Sequence, residues 1–121
     1  MGKILLVDDE PDIVNLTSFI LEKEGHEVIA AEDAKECMAK LKKVRPDLIL
    51  LDVMLPGEDG WEVSKKLKAD KDTASIPIIM FTVRASLESK EKSMYYAKAD
   101  AQIDKPFKTD DLLNIINDFL K

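Results

Sequence analysis

Five short apolar runs, each followed by a segment with helical spacing, constrain this chain more than any other feature of its sequence. The runs are Ile4-Leu5-Leu6-Val7, Val28-Ile29-Ala30, Leu48-Ile49-Leu50-Leu51, Ile78-Ile79-Met80-Phe81 and a weaker Ala101-Gln102-Ile103. A strand of unbroken apolar residues has no polar face to offer water, so it must be covered on both sides, as in a parallel sheet. Between the runs, Ile13, Leu16 and Ile20 recur at helical spacing, with Pro11 suited to a first turn and Gly25 to the exit. Met38 with Leu41, Val63 with Leu67, and Leu112, Ile115, Ile116 and Phe119 mark three further helices. The segment Ser86 to Ala97 carries Leu87 and then nothing apolar until Met94, which predicts a mobile helix that docks only weakly. Five strand–helix units predict an α/β fold and are too few for an eight-fold barrel. An open five-stranded parallel sheet with helices on both faces follows. A length of 121 residues suits one domain, 1–121, and the last helical pattern ends where the chain ends, so no output domain is expected.

Charge excludes some functions. Lys and Arg number 18 against 24 Asp and Glu, a net charge of −6, and Arg45 and Arg84 are the only arginines. An acidic chain without a guanidinium cluster argues against binding nucleic acid or an anionic membrane surface. No apolar run approaches the roughly 18 residues that span a bilayer, and Ile4 to Val7 is too short for a signal peptide, so a cytoplasmic protein is expected. The single Cys37 can form no internal disulfide and reads as an apolar filler beside Met38 and Leu41. His26 reads as a solvated turn residue and Trp61 as a partly exposed ring.

In an open parallel sheet, sites form beyond the carboxyl ends of the strands. Asp8 and Asp9 follow the first run, Asp52 the third, Thr82 the fourth, and Lys105-Pro106 the fifth. Each has an ordinary explanation taken singly. One aspartate could cap the helix near Pro11, Asp52 could begin the turn at Pro56-Gly57, and Thr82 and Lys105 could be plain strand-end residues. Together they place three carboxylates, a hydroxyl and an ammonium on one rim. Crowded carboxylates repel unless a cation joins them, and hard oxygen ligands suit Mg²⁺. A carboxylate can also attack phosphorus to form an aspartyl phosphate, with a metal, an ammonium and a hydroxyl neutralising charge. Asp52, central in the sheet, is the expected nucleophile, and Asp8 and Asp9 the metal holders.

Ile4 to Pro11, Leu50 to Gly60, Phe81-Thr82 and Asp104-Lys105-Pro106-Phe107 together resemble the receiver domain of two-component response regulators, in order and along the whole chain. The resemblance implies a flavodoxin-like fold with strand order 2-1-3-4-5. It implies phosphoryl transfer to Asp52 from the phosphohistidine of a sensor histidine kinase or phosphotransfer protein, without turnover of an external substrate. It further implies Mg²⁺ bound directly by Asp9 and the Met54 backbone carbonyl, with Asp8 acting largely through water. Thr82 would bond the phosphoryl oxygen, Lys105 would pair with it, and Lys105-Pro106 is a candidate cis peptide. The output would be a changed surface for a downstream protein, presented by Ser86–Ala97 and the last helix, where Leu113 and Leu120 either meet a partner or complete the core.

Two positions depart from the pattern. Gln102 stands where receivers usually carry Tyr or Phe, and Val83 stands where they usually carry Ala or Gly. Met54 and Arg84, at positions that by the resemblance tune water attack, are both large, which suggests a long-lived phosphoryl state. Other classes fit less well. A haloacid-dehalogenase-type phosphatase needs a second aspartate where Met54 stands, and a flavin phosphate would be repelled by Asp8-Asp9-Glu10. A phosphorylation-independent interaction module on the same fold is opposed by the acidic pair, Asp52 and Lys105, and favoured by Gln102.

Overall fold

The computed structural model describes residues 2–82 and 87–120. Val83 and Arg84, and Ser86 at the start of the expected mobile helix, lie outside them. Five strands, β1 (Lys3–Val7), β2 (Glu27–Ala31), β3 (Leu48–Asp52), β4 (Ile78–Thr82) and β5 (Ala101–Asp104), form one sheet in the order β2-β1-β3-β4-β5, with every pairing parallel. The helices are α1 (Pro11–Lys23), α2 (Ala34–Leu41), α3 (Gly60–Ala69), α4 (Leu87–Glu91) and α5 (Thr109–Phe119). A π-helix, Lys92–Tyr96, follows α4 directly.

The apolar runs behave as their composition requires. β3 and β4 are buried at every position, whereas β2 at the sheet edge is buried only at Ala31. Side chains alternate across a strand, so each run feeds two cores. Leu5, Val7, Ile49, Leu51, Ile78 and Met80 face the layer that contains Cys37, Val63 and Leu67. Ile4, Leu6, Leu50, Ile79 and Phe81 face Leu21, Leu112 and Ile116 of α1 and α5. Leu113 and Leu120 pack against this second core, so they complete it. Pro11 opens α1, and Gly25 leaves it at φ 91°, a left-handed geometry that suits glycine.

Two sequence expectations are corrected. Trp61 is buried, because α3 lays it against the π-helix, where its indole N–H donates to Ser93 Oγ at 2.9 Å. His26 is also buried rather than solvated; its Nδ1 accepts from the Gly2 N–H at 3.0 Å, and burial holds the imidazole below its ordinary pKa. Neither contact is local in sequence, which is why a residue-by-residue reading missed both. The segment after Leu87 docks through Ser93 and Ala97, both fully buried, and the Ala97 carbonyl accepts from Ser64 Oγ at 2.8 Å. Its docking is polar as well as apolar, so apolar periodicity under-reports it.

Candidate functional site

Parallel strands deliver their carboxyl ends to one rim, and the rim gathers residues far apart in sequence. Asp8 follows β1, Asp52 closes β3, Thr82 closes β4 and Lys105 follows β5, and all four are buried. The Lys105 ammonium lies 2.6 Å from Asp8 Oδ2 and 3.6 Å from Asp52 Oδ2, bridging two carboxylates 44 residues apart. It also stands 4.9 Å above the Phe81 ring, which adds a cation–π contact to a group already out of water. The peptide bond Lys105–Pro106 is cis, as the resemblance implies.

Backbone donors hold the acids in place. Asp8 Oδ1 accepts from the Glu10 N–H at 3.0 Å, and Asp52 Oδ1 accepts from the Met54 N–H at 3.2 Å. Each bond spans two residues, the short reach by which an aspartate orders the turn that follows it. Burial and the Asp8 charge push the Asp52 carboxyl up to about 7, against the opposing pull of Lys105 and the Met54 N–H. The site therefore holds more negative charge than its one ammonium neutralises.

Asp8, Glu10 and Asp52 each offer a carboxylate oxygen, and these oxygens lie within 4.8 Å of one another. Clustered hard oxygen donors with an unbalanced charge fit a hard divalent cation such as Mg²⁺. Glu10 is the member that sequence reasoning omitted from the site; its Oε1 also lies 3.9 Å from Lys105 Nζ. The signal was present in Asp8-Asp9-Glu10, but residue type alone does not say which of three adjacent acids turns inward. Asp9 is exposed and stands outside that trio. Met54 is 51% exposed beside the acceptor, with its N–H committed to Asp52.

Gly60 anchors the loop after Asp52 by donating its N–H to the Val53 carbonyl at 2.8 Å. A Cβ at this position would lie 2.0 Å from the Asp52 carbonyl oxygen, so only glycine lets α3 start this close to the acceptor strand. Gly60→Ala is therefore expected to destabilise the protein by about 1–3 kcal/mol, the usual cost of overpacking, and to displace Asp52. Urea unfolding of the purified variant checks the magnitude.

Comparison with known proteins follows the same lines. Residues 4–117 match the family described as the response regulator receiver domain. The chain is 36% identical over 121 residues to the DNA-binding dual master transcriptional regulator RpaA of Synechocystis, covering 100% of this chain and 50% of that protein. It is 32% identical over 120 residues to protein PilH of Pseudomonas aeruginosa, covering 97% of this chain and 96% of that protein. The chain thus spans about half the length of RpaA and nearly all of PilH. Among solved structures, chemotaxis response regulator CheY4 of Vibrio cholerae superposes with a TM-score of 0.91 at 34% identity, covering 98% of each chain. Among the described residues, no helix is long and apolar enough to cross a membrane.

Proposed function

The chain belongs to the response regulator receiver domain family, and on that premise we propose that Asp52 accepts a phosphoryl group from a phosphohistidine of a sensor histidine kinase or phosphotransfer protein. The supporting observation is the buried Lys105 ammonium set between Asp8 and Asp52 on the rim of strand ends. An Asp52 oxygen attacks phosphorus, the bond from phosphorus to the imidazole nitrogen breaks, and the imidazole leaves with that electron pair. Transfer of this kind is mainly positioning and charge neutralisation. Lys105 exchanges its contact with Asp8 for one with the incoming phosphoryl oxygens, and the Thr82 hydroxyl bonds another of them.

The proposed Mg²⁺ site comprises Asp8, Asp9, Asp52 and the Met54 carbonyl, with Glu10 as an additional carboxylate. The cation, when bound, neutralises charge that Lys105 alone leaves uncompensated. The protein is a switch with no external substrate to turn over. Its output is a changed surface for a downstream protein whose identity lies with the pathway.

Incubation with acetyl phosphate and Mg²⁺ tests the reading directly by intact mass. The parent is expected to gain one phosphoryl mass and Asp52→Ala none. No gain in the parent, even with a sensor kinase present, would instead indicate a phosphorylation-independent module. Decay of the loaded species provides a further prediction, resting on the large Met54 and Arg84 side chains. The half-life is expected to exceed about one minute, a hydrolysis barrier above roughly 20 kcal/mol. Faster decay would remove those two residues as shields against water.

A further inference from the structure

A directed polar chain links the acceptor rim to the first turn of α3. The Trp61 indole N–H donates to Ser93 Oγ at 2.9 Å, and the Ser93 hydroxyl donates to Gln102 Oε1 at 2.5 Å. Gln102 Nε2 then donates to Asp104 Oδ1 at 3.1 Å. An indole N–H can only donate and the Asp104 carboxylate only accepts, so Gln102 turns its Nε2 to Asp104 and its Oε1 to Ser93, which fixes the sense of the links. Ser93 is fully buried, so no water competes for its bonds. At Ser93 one bond polarises the next and a broken link leaves polar atoms unpaired, while the outer link from Gln102 to Asp104 lies at the surface.

Both ends of the chain matter. Asp104 stands opposite Thr82 in the β4–β5 register and immediately precedes Lys105, whose N–H donates to the Thr82 carbonyl at 2.6 Å. Ser93, at the centre, belongs to the π-helix, whose wide turn is closed by the Ala97 N–H on the Lys92 carbonyl at 2.9 Å. A π-turn is a local irregularity that recurs at functional sites. Just beyond it, Lys98 sits at φ 57°, a left-handed conformation that costs a residue with a Cβ. The wide turn is thus pinned in part by Gln102.

We propose that Gln102 is a positioning residue that couples the state of the Asp52–Lys105 pocket to the π-helix Lys92–Tyr96 through Ser93 and Trp61, in place of an aromatic side chain on β5. This rests on the receiver reading above. Negative charge added at Asp52 draws Lys105 away from Asp8, and Asp104 shifts with the chain that joins them. Gln102 follows Asp104, and Ser93 then moves relative to Trp61. The indole reports the movement because its N–H is bonded to Ser93 and the Lys92 ammonium lies 4.4 Å from its ring centre.

Trp61 is the sole tryptophan, so the emission has one source, and the two variants separate a change carried by Ser93 and Gln102 from one the indole senses directly. The experiment records the emission of the parent, Gln102→Leu and Ser93→Ala before and after treatment with acetyl phosphate and Mg²⁺, with loading of every sample measured by intact mass. The parent is expected to change its emission on loading, while both variants load and lose that change. Should Ser93→Ala fail to fold, Gln102→Leu, at a half-buried position, carries the test. A loaded Gln102→Leu with the parent's emission change overturns the proposal, as does a loaded parent with none. A Gln102→Leu variant that cannot be loaded also overturns it, since Gln102 would then serve acceptance rather than coupling. A parent that gains no phosphoryl mass overturns the receiver reading itself, and the mass measurement tells the two failures apart.

Discussion

Asp52→Asn is expected to lose phosphoryl acceptance and, in metal-free buffer at pH 7, to unfold at a higher urea concentration than the parent. The two effects share one cause. The Asp52 carboxylate is buried beside Asp8, and this raises its pKa to about 7. A carboxyl whose folded pKa lies above its unfolded value binds more protons folded than unfolded, so stability falls as pH rises between those values. The window runs from the ordinary aspartate value of 3.8 up to about 7. Asparagine keeps the shape and can still accept from the Met54 N–H, but carries no charge. The gain is expected to be about 2–4 kcal/mol at pH 7, shrinking to nothing near pH 4. Urea unfolding at several pH values in a chelator checks both magnitude and slope. A pH-independent difference would mean that Asp52 is already balanced by Lys105.

Lys105→Met is expected to act in the opposite direction. Methionine fills much of the lysine stem's path, but Asp8 and Asp52 lose the ammonium that lies 2.6 Å and 3.6 Å from them. Removing one partner of a buried ion pair leaves an uncompensated charge, at a typical cost of about 3–5 kcal/mol. The loss should be largest at neutral pH and diminish as acid protonates the carboxylates. Added Mg²⁺ should restore part of it, because a divalent cation takes over the missing neutralisation and stabilises by linkage. Thermal or urea unfolding with and without Mg²⁺ measures this. A loss below about 1 kcal/mol would place Lys105 among weakly coupled surface pairs. The contrast between Asp52→Asn and Lys105→Met is itself diagnostic: one relieves excess negative charge, and the other increases it.

These effects arise in a site whose composition was legible in the sequence and whose contacts were not. Asp8, Asp52, Thr82 and Lys105 could be placed on one rim because each follows a strand, and parallel strands all end on the same side. That Lys105 approaches Asp8 more closely than Asp52, and that Glu10 rather than Asp9 joins the carboxylate trio, depends on side-chain directions that no spacing encodes. Trp61 and His26 teach the same point, since each is buried by a partner at least 24 residues away.

The sequence by itself determined the architecture, because apolar period and run length decide which faces must be covered, and five strand–helix units with strand-end acids leave few alternatives. The resemblance carried by Asp8-Asp9, Asp52, Thr82 and Lys105-Pro106 then selected among sheet orders, and the observed order β2-β1-β3-β4-β5 agrees. Only the tertiary structure decided how Gln102 is used. In sequence it is a missing aromatic. Folded, it joins Ser93 to Asp104, because packing the π-helix against α3 and β5 brings Gln102 to the fully buried Ser93 hydroxyl, where no water replaces a lost hydrogen bond.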